Sequence, residues 1–314
     1  MEFHQLRYAL AVADTGNFTR AAERSFVSQP SLSQQILNLE SELGHKLFHR
    51  LGRRAVPTEA GAAFLQRART ILREVENATR EIRDDPGFGR QIVVGAIPSV
   101  APYLLPRIIA RCRELHPNLE VHAREDFRPS LCRSVTEGEL DLALVSLPIA
   151  EPQLLVEPLF SEPLLLVANG NHPLAKKPAV SAPDLENETF ILLGDSSTLA
   201  SQIQRFCGEH HFQPKIGYRC SQIKTVKAFV ALNLGISILP RVARSPDDRD
   251  LTYRELSGRA PKREIAVIRH LQRYQSTGAQ AFLAVTQELV KSYQAGTPAA
   301  AVATAPPSDV PASA

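Results

Sequence analysis

The chain has 314 residues, 44% of them apolar, a formal charge of +3 at pH 7 and four cysteines. That length exceeds one ordinary core and calls for two or three folding units, while the near-neutral balance excludes a globally basic nucleic-acid coat or an acidic tail. No apolar run is long enough to span a bilayer, and Met1-Glu2-Phe3-His4 opens no secretory signal, so the expectation is a cytoplasmic protein with no membrane partner.

Residues 3–12 read as an apolar-rich helix with Phe3, Leu6, Leu10 and Ala13 on its packing side. Asn17-Phe18-Thr19-Arg20-Ala21-Ala22-Glu23 then opens a short helix, and Ser25-Phe26-Val27 turns the chain. A second helix opens at Ser28, whose hydroxyl can cap it, with Pro30 in the first turn where the missing N–H costs nothing. Leu32, Ile36, Leu39 and Leu43 form its buried stripe, which turns Gln29, Ser31, Ser33, Gln34 and Asn38 to the other faces, and Gly44 ends it. A helix-turn-helix with an uncharged polar reading face suits the major groove, where Gln can bridge the donor and acceptor of adenine. Gln29, Pro30, Ser31, Ser33 and Gln34 are the candidate readers.

Residues 45–58 carry four fixed positive charges and no acid. Following a capped reading helix, they read as a wing on duplex phosphates, with Lys46 and Arg50 on phosphate or packed beside it, Arg53 probing a groove and Thr58 completing the contact set. A solvated turn is the plainer alternative. Thr58 also caps a long helix expected to reach Arg83 and to break at Asp84-Asp85-Pro86-Gly87. Gly61, Ala68, Val75 and Ile82, interleaved with Phe64, Ile71 and Ala78, make a heptad seam that calls for a second copy of the same helix, or else burial on the chain's own later domain.

From residue 89 strands and helices alternate: strands at 91–97, 119–124 and 140–146 with helices at 104–116 and 130–137, then strands at 164–168, 190–193 and 236–239 with helices at 197–211 and 223–234. Two α/β lobes follow, and open sheets bind ligands at the carboxyl ends of their strands. Ser99 and Arg128 from the first lobe, with Ser196, Ser197 and Thr198 from the second, are the candidate effector ligands. Hydroxyls at helix entrances and a planar guanidinium suit an anion, although each also has a plainer capping or ion-pair reading. The four cysteines, Cys112, Cys132, Cys207 and Cys220, lack C-x-x-C spacing, and His210-His211 would point apart on one helix, so neither a metal site nor a cofactor is expected. No nucleophile or acid–base pair signals an enzyme. Residues 295–314 are mainly Ala, Pro, Thr and Ser with one acid, a composition that predicts a disordered tail.

The pattern Ala21-Ala22, Ser28-Gln29-Pro30, Ser33, Leu39-Glu40, Leu43-Gly44, Leu47-Phe48, Arg50 and Thr58-Glu59-Ala60-Gly61 resembles the LysR-type transcriptional regulators. The resemblance implies a multidomain fold: an all-α winged helix-turn-helix head at 1–58, a dimerising linker helix at 59–88, and a two-lobed α/β domain like the periplasmic binding proteins. Its first lobe would take 89–161 and 267–294, its second 162–266, with paired crossings near Glu162 and Ala266. It also implies promoter DNA, a small effector, RNA polymerase and further copies of the chain, as dimer or homotetramer, as partners. Residues 94–98, 101–106 and 190–195 are similar to the peroxide-sensing, OxyR-like branch, in which a reactive cysteine lies nine residues before a resolving one. Here Thr198 stands at the first position and only Cys207 remains. A small anionic effector is therefore the leading expectation, with a thiol switch at Cys207 or another cysteine as the alternative.

Overall fold

The computed structural model describes residues 1–52, 54–83 and 90–294, and the chain falls into two compact units, Met1–Asp85 and Pro86–Ala314. In the first, α1 (Phe3–Thr15), α2 (Phe18–Arg24) and α3 (Gln29–Leu43) lead to a hairpin of β1 (Phe48–Leu51) and β2 (Arg54–Pro57), followed by α4 (Glu59–Arg83). The Asn17 side chain accepts the N–H groups of Thr19 and Arg20 at 2.8 and 3.1 Å, which sets the start of α2. Ser28 does the same for α3 through Ser31 at 3.3 Å, and Gly44 closes it at φ 69°, a left-handed turn that costs glycine little. Leu32, Ile36 and Leu39 are fully buried with Ala9, Val12, Ala21 and Leu47, each large side chain contributing about 1.5–3 kcal/mol.

Two expectations change here. The buried face of α1 is Gln5, Leu6, Ala9 and Val12, whereas Phe3 stands 51% exposed; small Ala9 rather than a large residue lets α1 lie close to its neighbours. The seam of α4 is split. Its beginning packs inside the unit: Gly61 lies against the Leu47 backbone where a Cβ would collide, Leu65 and Ala68 are buried, and Arg69 pairs with Asp14 of α1 at 2.9 Å. Its later apolar residues have no such cover, Ile71 being 38% and Ile82 83% exposed. The break expected at 84–87 and the tail from 295 lie outside the described residues.

The second unit begins with β3 (Arg90–Ala96), α5 (Ala101–Leu115), β4 (Leu119–Glu125), α6 (Arg128–Glu137) and β5 (Leu142–Ser146), and β3 lies parallel between β4 and β5. Next come β6 (Leu154–Asn169), α7 (Pro173–Lys176), β7 (Thr189–Leu193), α8 (Thr198–Glu209), β8 (Lys215–Cys220), α9 (Ile223–Ala231), β9 (Ser237–Pro240), β10 (Leu251–Arg254), β11 (Lys262–His270) and α10 (Thr277–Gln294). The main sheet runs β10-β6-β11-β5-β3-β4, with β9 also on β6 and a separate parallel pair, β7 and β8. β6 joins two lobes: residues 154–163 pair with β11, while residues 164–169 pair with β9 and β10. Each lobe has its own core, and Phe282, Val285 and Tyr293 of α10 pack into the first.

The early half of β6, β8 and β10 are absent from the sequence expectation for physical reasons. Pro158 and Pro163 argue against a strand, yet a register shift between Ile265 and Ala266 accommodates Pro158. β8 shows a largely exposed pattern and so lacks an apolar run. The returning crossing also falls earlier than Ala266, since Pro261 already accepts from the Leu164 amide at 2.9 Å and Ile265 sits in the first lobe's core. His210 and His211 lie beyond α8 rather than on it, with His211 at φ 64°. Among the described residues no helix is long and apolar enough to cross a membrane.

Candidate functional site

Within the first unit the polar side of α3 faces outwards, with Gln29, Pro30, Ser31 and Gln34 all exposed. Ser33 is the exception and a correction: it is 9% exposed, on the inner flank of the helix, where its hydroxyl receives the Gln29 Nε2 at 2.8 Å. Gln34 is similarly tied to Asn38 at 2.9 Å. Both glutamines are thus held extended along the helix surface by a neighbour one turn on. That limits the rotamers they must lose on meeting a base edge.

The wing is fastened to this helix by a residue that the sequence pattern contains but to which it gave no role. Glu40 is buried, and its Oε1 accepts the amides of Leu47 and Phe48 at 2.7 and 3.2 Å. Lys46 is exposed, 3.9 Å from the other oxygen of Glu40. Arg50 lies over the Phe18 ring at 4.4 Å from its centroid, an attraction worth about 0.5–1 kcal/mol at an exposed site. Thr58 turns inwards: its hydroxyl donates to Lys46 O at 2.7 Å and accepts from the Gly61 amide at 2.9 Å, so its hydrogen-bonding capacity serves the fold. Arg53 lies outside the described residues. Gln29, Asn17, Thr19, Arg20, Arg50 and Arg54 line one recess of about 550 Å³. Thr19, Arg20 and Arg54 join the candidate surface only in three dimensions, because α2 and β2 bring them beside the start of α3.

In the second unit, the cleft between the lobes gathers all five predicted effector residues, Ser99, Arg128, Ser196, Ser197 and Thr198, with Ser221 and Phe127. Ser99 does not cap α5; Val100 holds that position. Instead Ser99 is buried and bonded to Arg263, Nη1 donating to its Oγ at 2.7 Å and Nη2 to its carbonyl at 3.1 Å. Arg263 in turn meets Glu162 Oε1 at 2.8–2.9 Å, and the other oxygen of Glu162 accepts the Val242 amide and the Tyr293 hydroxyl at 2.8 and 3.1 Å. This pair lies between the two crossing strands, Glu162 opposite Arg263.

Arg128 opens α6, and its Nη1 donates to the carbonyls of Pro148 at 2.9 Å and Ser146 at 3.3 Å. Asp126, two residues before it and so a candidate for the plainer ion pair, is engaged elsewhere: Ser130 and the Phe127 amide hold its carboxyl below the usual range. Ser146 of the first lobe meets Thr198 of the second, hydroxyl to hydroxyl, at 2.6 Å. Ser146 and Ser221 went unnoticed in the sequence because one ends a buried strand and the other follows an unrecognised one.

All four cysteines are buried and free. Burial pushes the thiols of Cys112 and Cys132 up to about 11 and that of Cys207 up to about 12, and raises Cys220 as well. Low-dielectric surroundings disfavour the thiolate, which is the reactive form. Among the described residues no group of His, Cys, Asp or Glu is arranged to hold a metal ion.

Comparison with known proteins agrees with both halves. Residues 3–62 match the bacterial regulatory helix-turn-helix proteins of the lysR family, and residues 86–291 match the LysR substrate binding domain. The DNA-binding transcriptional dual regulator OxyR of Escherichia coli K12 is 35% identical over 273 residues, 85% of this chain and 89% of that protein. The Hca operon transcriptional activator HcaR of the same organism is 32% identical over 94% of this chain and 100% of its own. Among solved structures, a full-length cysteine-to-aspartate variant of OxyR from Pseudomonas aeruginosa superposes with a TM-score of 0.65 at 29% identity, covering 93% of this chain and 95% of that one. The chain belongs to the LysR family and is a DNA-binding transcriptional regulator with an effector-binding domain, not an enzyme.

Proposed function

We propose that the protein is a cytoplasmic regulator that reads promoter DNA with α3, associates with further copies through α4, and responds to a small anionic effector taken between its lobes. Base reading is assigned to Gln29, Pro30 and Gln34, with Ser33 holding Gln29, while Lys46, Arg50, Arg20 and Arg54 supply the phosphate-facing charge. The observation that carries the effector reading is the convergence of Ser99, Arg128, Ser197 and Thr198 on one cleft. Its polar side chains are hydroxyls and a permanent cation, and no carboxylate is among the described residues that line it. The exposed later seam of α4 supports self-association, dimeric or tetrameric.

The thiol-switch alternative draws support from the OxyR relative. The buried, raised thiols and Thr198 weigh against it. Melting the wild type and Arg128→Ala with small carboxylates and phosphates, beside peroxide and reductant, separates the two. An anion-dependent rise in Tm for the wild type, lost in Arg128→Ala, is the expected result, because a ligand that binds only the folded state stabilises it. A shift with peroxide alone would favour the thiol switch.

A further inference from the structure

The recess on the reading head contains a charge of the wrong sign for a surface that meets a polyanion. Glu23 borders that space of about 550 Å³ together with Thr19, Arg20, Gln29, Arg50 and Arg54, the one carboxylate among the described residues that line it. Nothing in its own unit accounts for it. Glu23 is exposed and lies in the last turn of α2, the end of a helix at which a negative charge opposes the dipole. Arg20 stands three residues earlier, within reach along a helix surface, yet the Glu23 carboxylate has no hydrogen bond or ion pair among the described residues. A group that is repelled by phosphate and gives no support to its helix is explained by a donor that arrives with the DNA.

We propose that Glu23 is a specificity-determining residue, its carboxylate accepting the exocyclic N4–H of a cytosine that neighbours the base met by Gln29. This rests on base reading by the start of α3 and adds a second reader from α2. Only two bases offer a major-groove donor, cytosine at N4 and adenine at N6. Adenine sets its N7 acceptor beside that donor, and guanine and thymine present acceptors alone, so a carboxylate, which can only accept, favours cytosine. Gln29 begins α3 on the same recess, and the N-terminal residues of a reading helix are those that meet base edges. Arg20, Arg50 and Arg54 supply the attraction to phosphate that holds the duplex against this one repulsive charge. The same charge also works by exclusion, since it penalises every duplex that offers it no donor.

The test selects an operator from random duplex with the full-length wild type. Affinities of the wild type, Glu23→Ala and Gln29→Ala are then measured on that operator and on non-specific duplex. They are measured again on operators in which each cytosine in turn becomes thymine or N4-methylcytosine, which still pairs with guanine but carries a methyl in place of the groove-facing N–H. The expected result is one cytosine at which either change weakens the wild type about tenfold or more, as a hydrogen bond to a charged group does, and to which Glu23→Ala is indifferent. Glu23→Ala should also bind non-specific duplex at least as tightly as the wild type and keep its Tm. Equal weakening on specific and non-specific duplex, with a shallower salt slope, would make Glu23 a support for the arginines and overturn the assignment. So would the absence of any cytosine whose weight depends on Glu23. If Gln29→Ala still alters a base preference in that case, reading by α3 stands alone; if it alters none, both readings fall.

Discussion

At the scale of single residues, the chemistry turns on which groups are free and which are committed. Cys207 is fully buried and its thiol is pushed up to about 12 by desolvation, so at pH 8 only about one thiol in ten thousand is ionised, against roughly a quarter for a free cysteine. Alkylation with iodoacetamide at pH 8 should therefore be about a thousandfold slower for the folded protein than for the urea-unfolded chain, and should accelerate as pH climbs towards 12. Labelling of native Cys207 at the free-thiol rate would revive the redox reading. Glu162 and Arg263 are 1% and 2% exposed, and Glu162→Gln leaves a buried guanidinium without its counter-charge. Such a loss costs about 3–5 kcal/mol, to be read as a lower urea midpoint for the effector unit. An unchanged midpoint would mean that the pair is solvated in solution.

Elements explain what sequence could and could not announce. The caps at Asn17, Ser28 and Gly44 were legible because each acts on its own helix within a few residues. Ser33 was not, because its place depends on how α3 rolls against α1 and α2. Its hydroxyl holds Gln29 at 2.8 Å, so Ser33→Ala should weaken binding to a specific operator by about 1 kcal/mol through freer motion of Gln29, within the range of a single base contact. Non-specific duplex binding and its salt slope should hardly move; equal losses on both DNAs would contradict the tether. Effector candidates were legible as hydroxyls and a guanidinium at strand exits, a local signal. The Ser99–Arg263 and Ser146–Thr198 contacts join residues far apart in the chain, and no spacing rule reaches that distance. Similarly, the heptad of α4 reads alike throughout, although Leu65 and Ala68 face α1 while Ile71 and Ile82 are open. Ile71→Glu with Ile82→Glu should convert the oligomer to smaller species in sedimentation at micromolar concentration, with little change in Tm of the head. Unchanged mass would place self-association elsewhere.

For the whole molecule, a reading head and a ligand cleft lie in separate compact units, so regulation requires that the ligand favour one arrangement of the lobes over another. The cleft borders the crossings: Ser99 lines it and also holds Arg263, opposite Glu162 on the second crossing strand. A ligand bonded to Ser99 thus acts one residue away from the strands on which the lobes turn. In a self-associated protein, a change in lobe angle alters the spacing of the reading heads and hence the bend they impose on DNA. The most direct measurement is a footprint on an operator selected from random duplex, with and without the anion that stabilises the protein, for the wild type and Arg128→Ala. The account predicts that the anion shifts the protected boundary or the hypersensitive sites for the wild type and leaves the variant's footprint alone. An anion that binds the cleft yet leaves the wild-type footprint and affinity unchanged would contradict it.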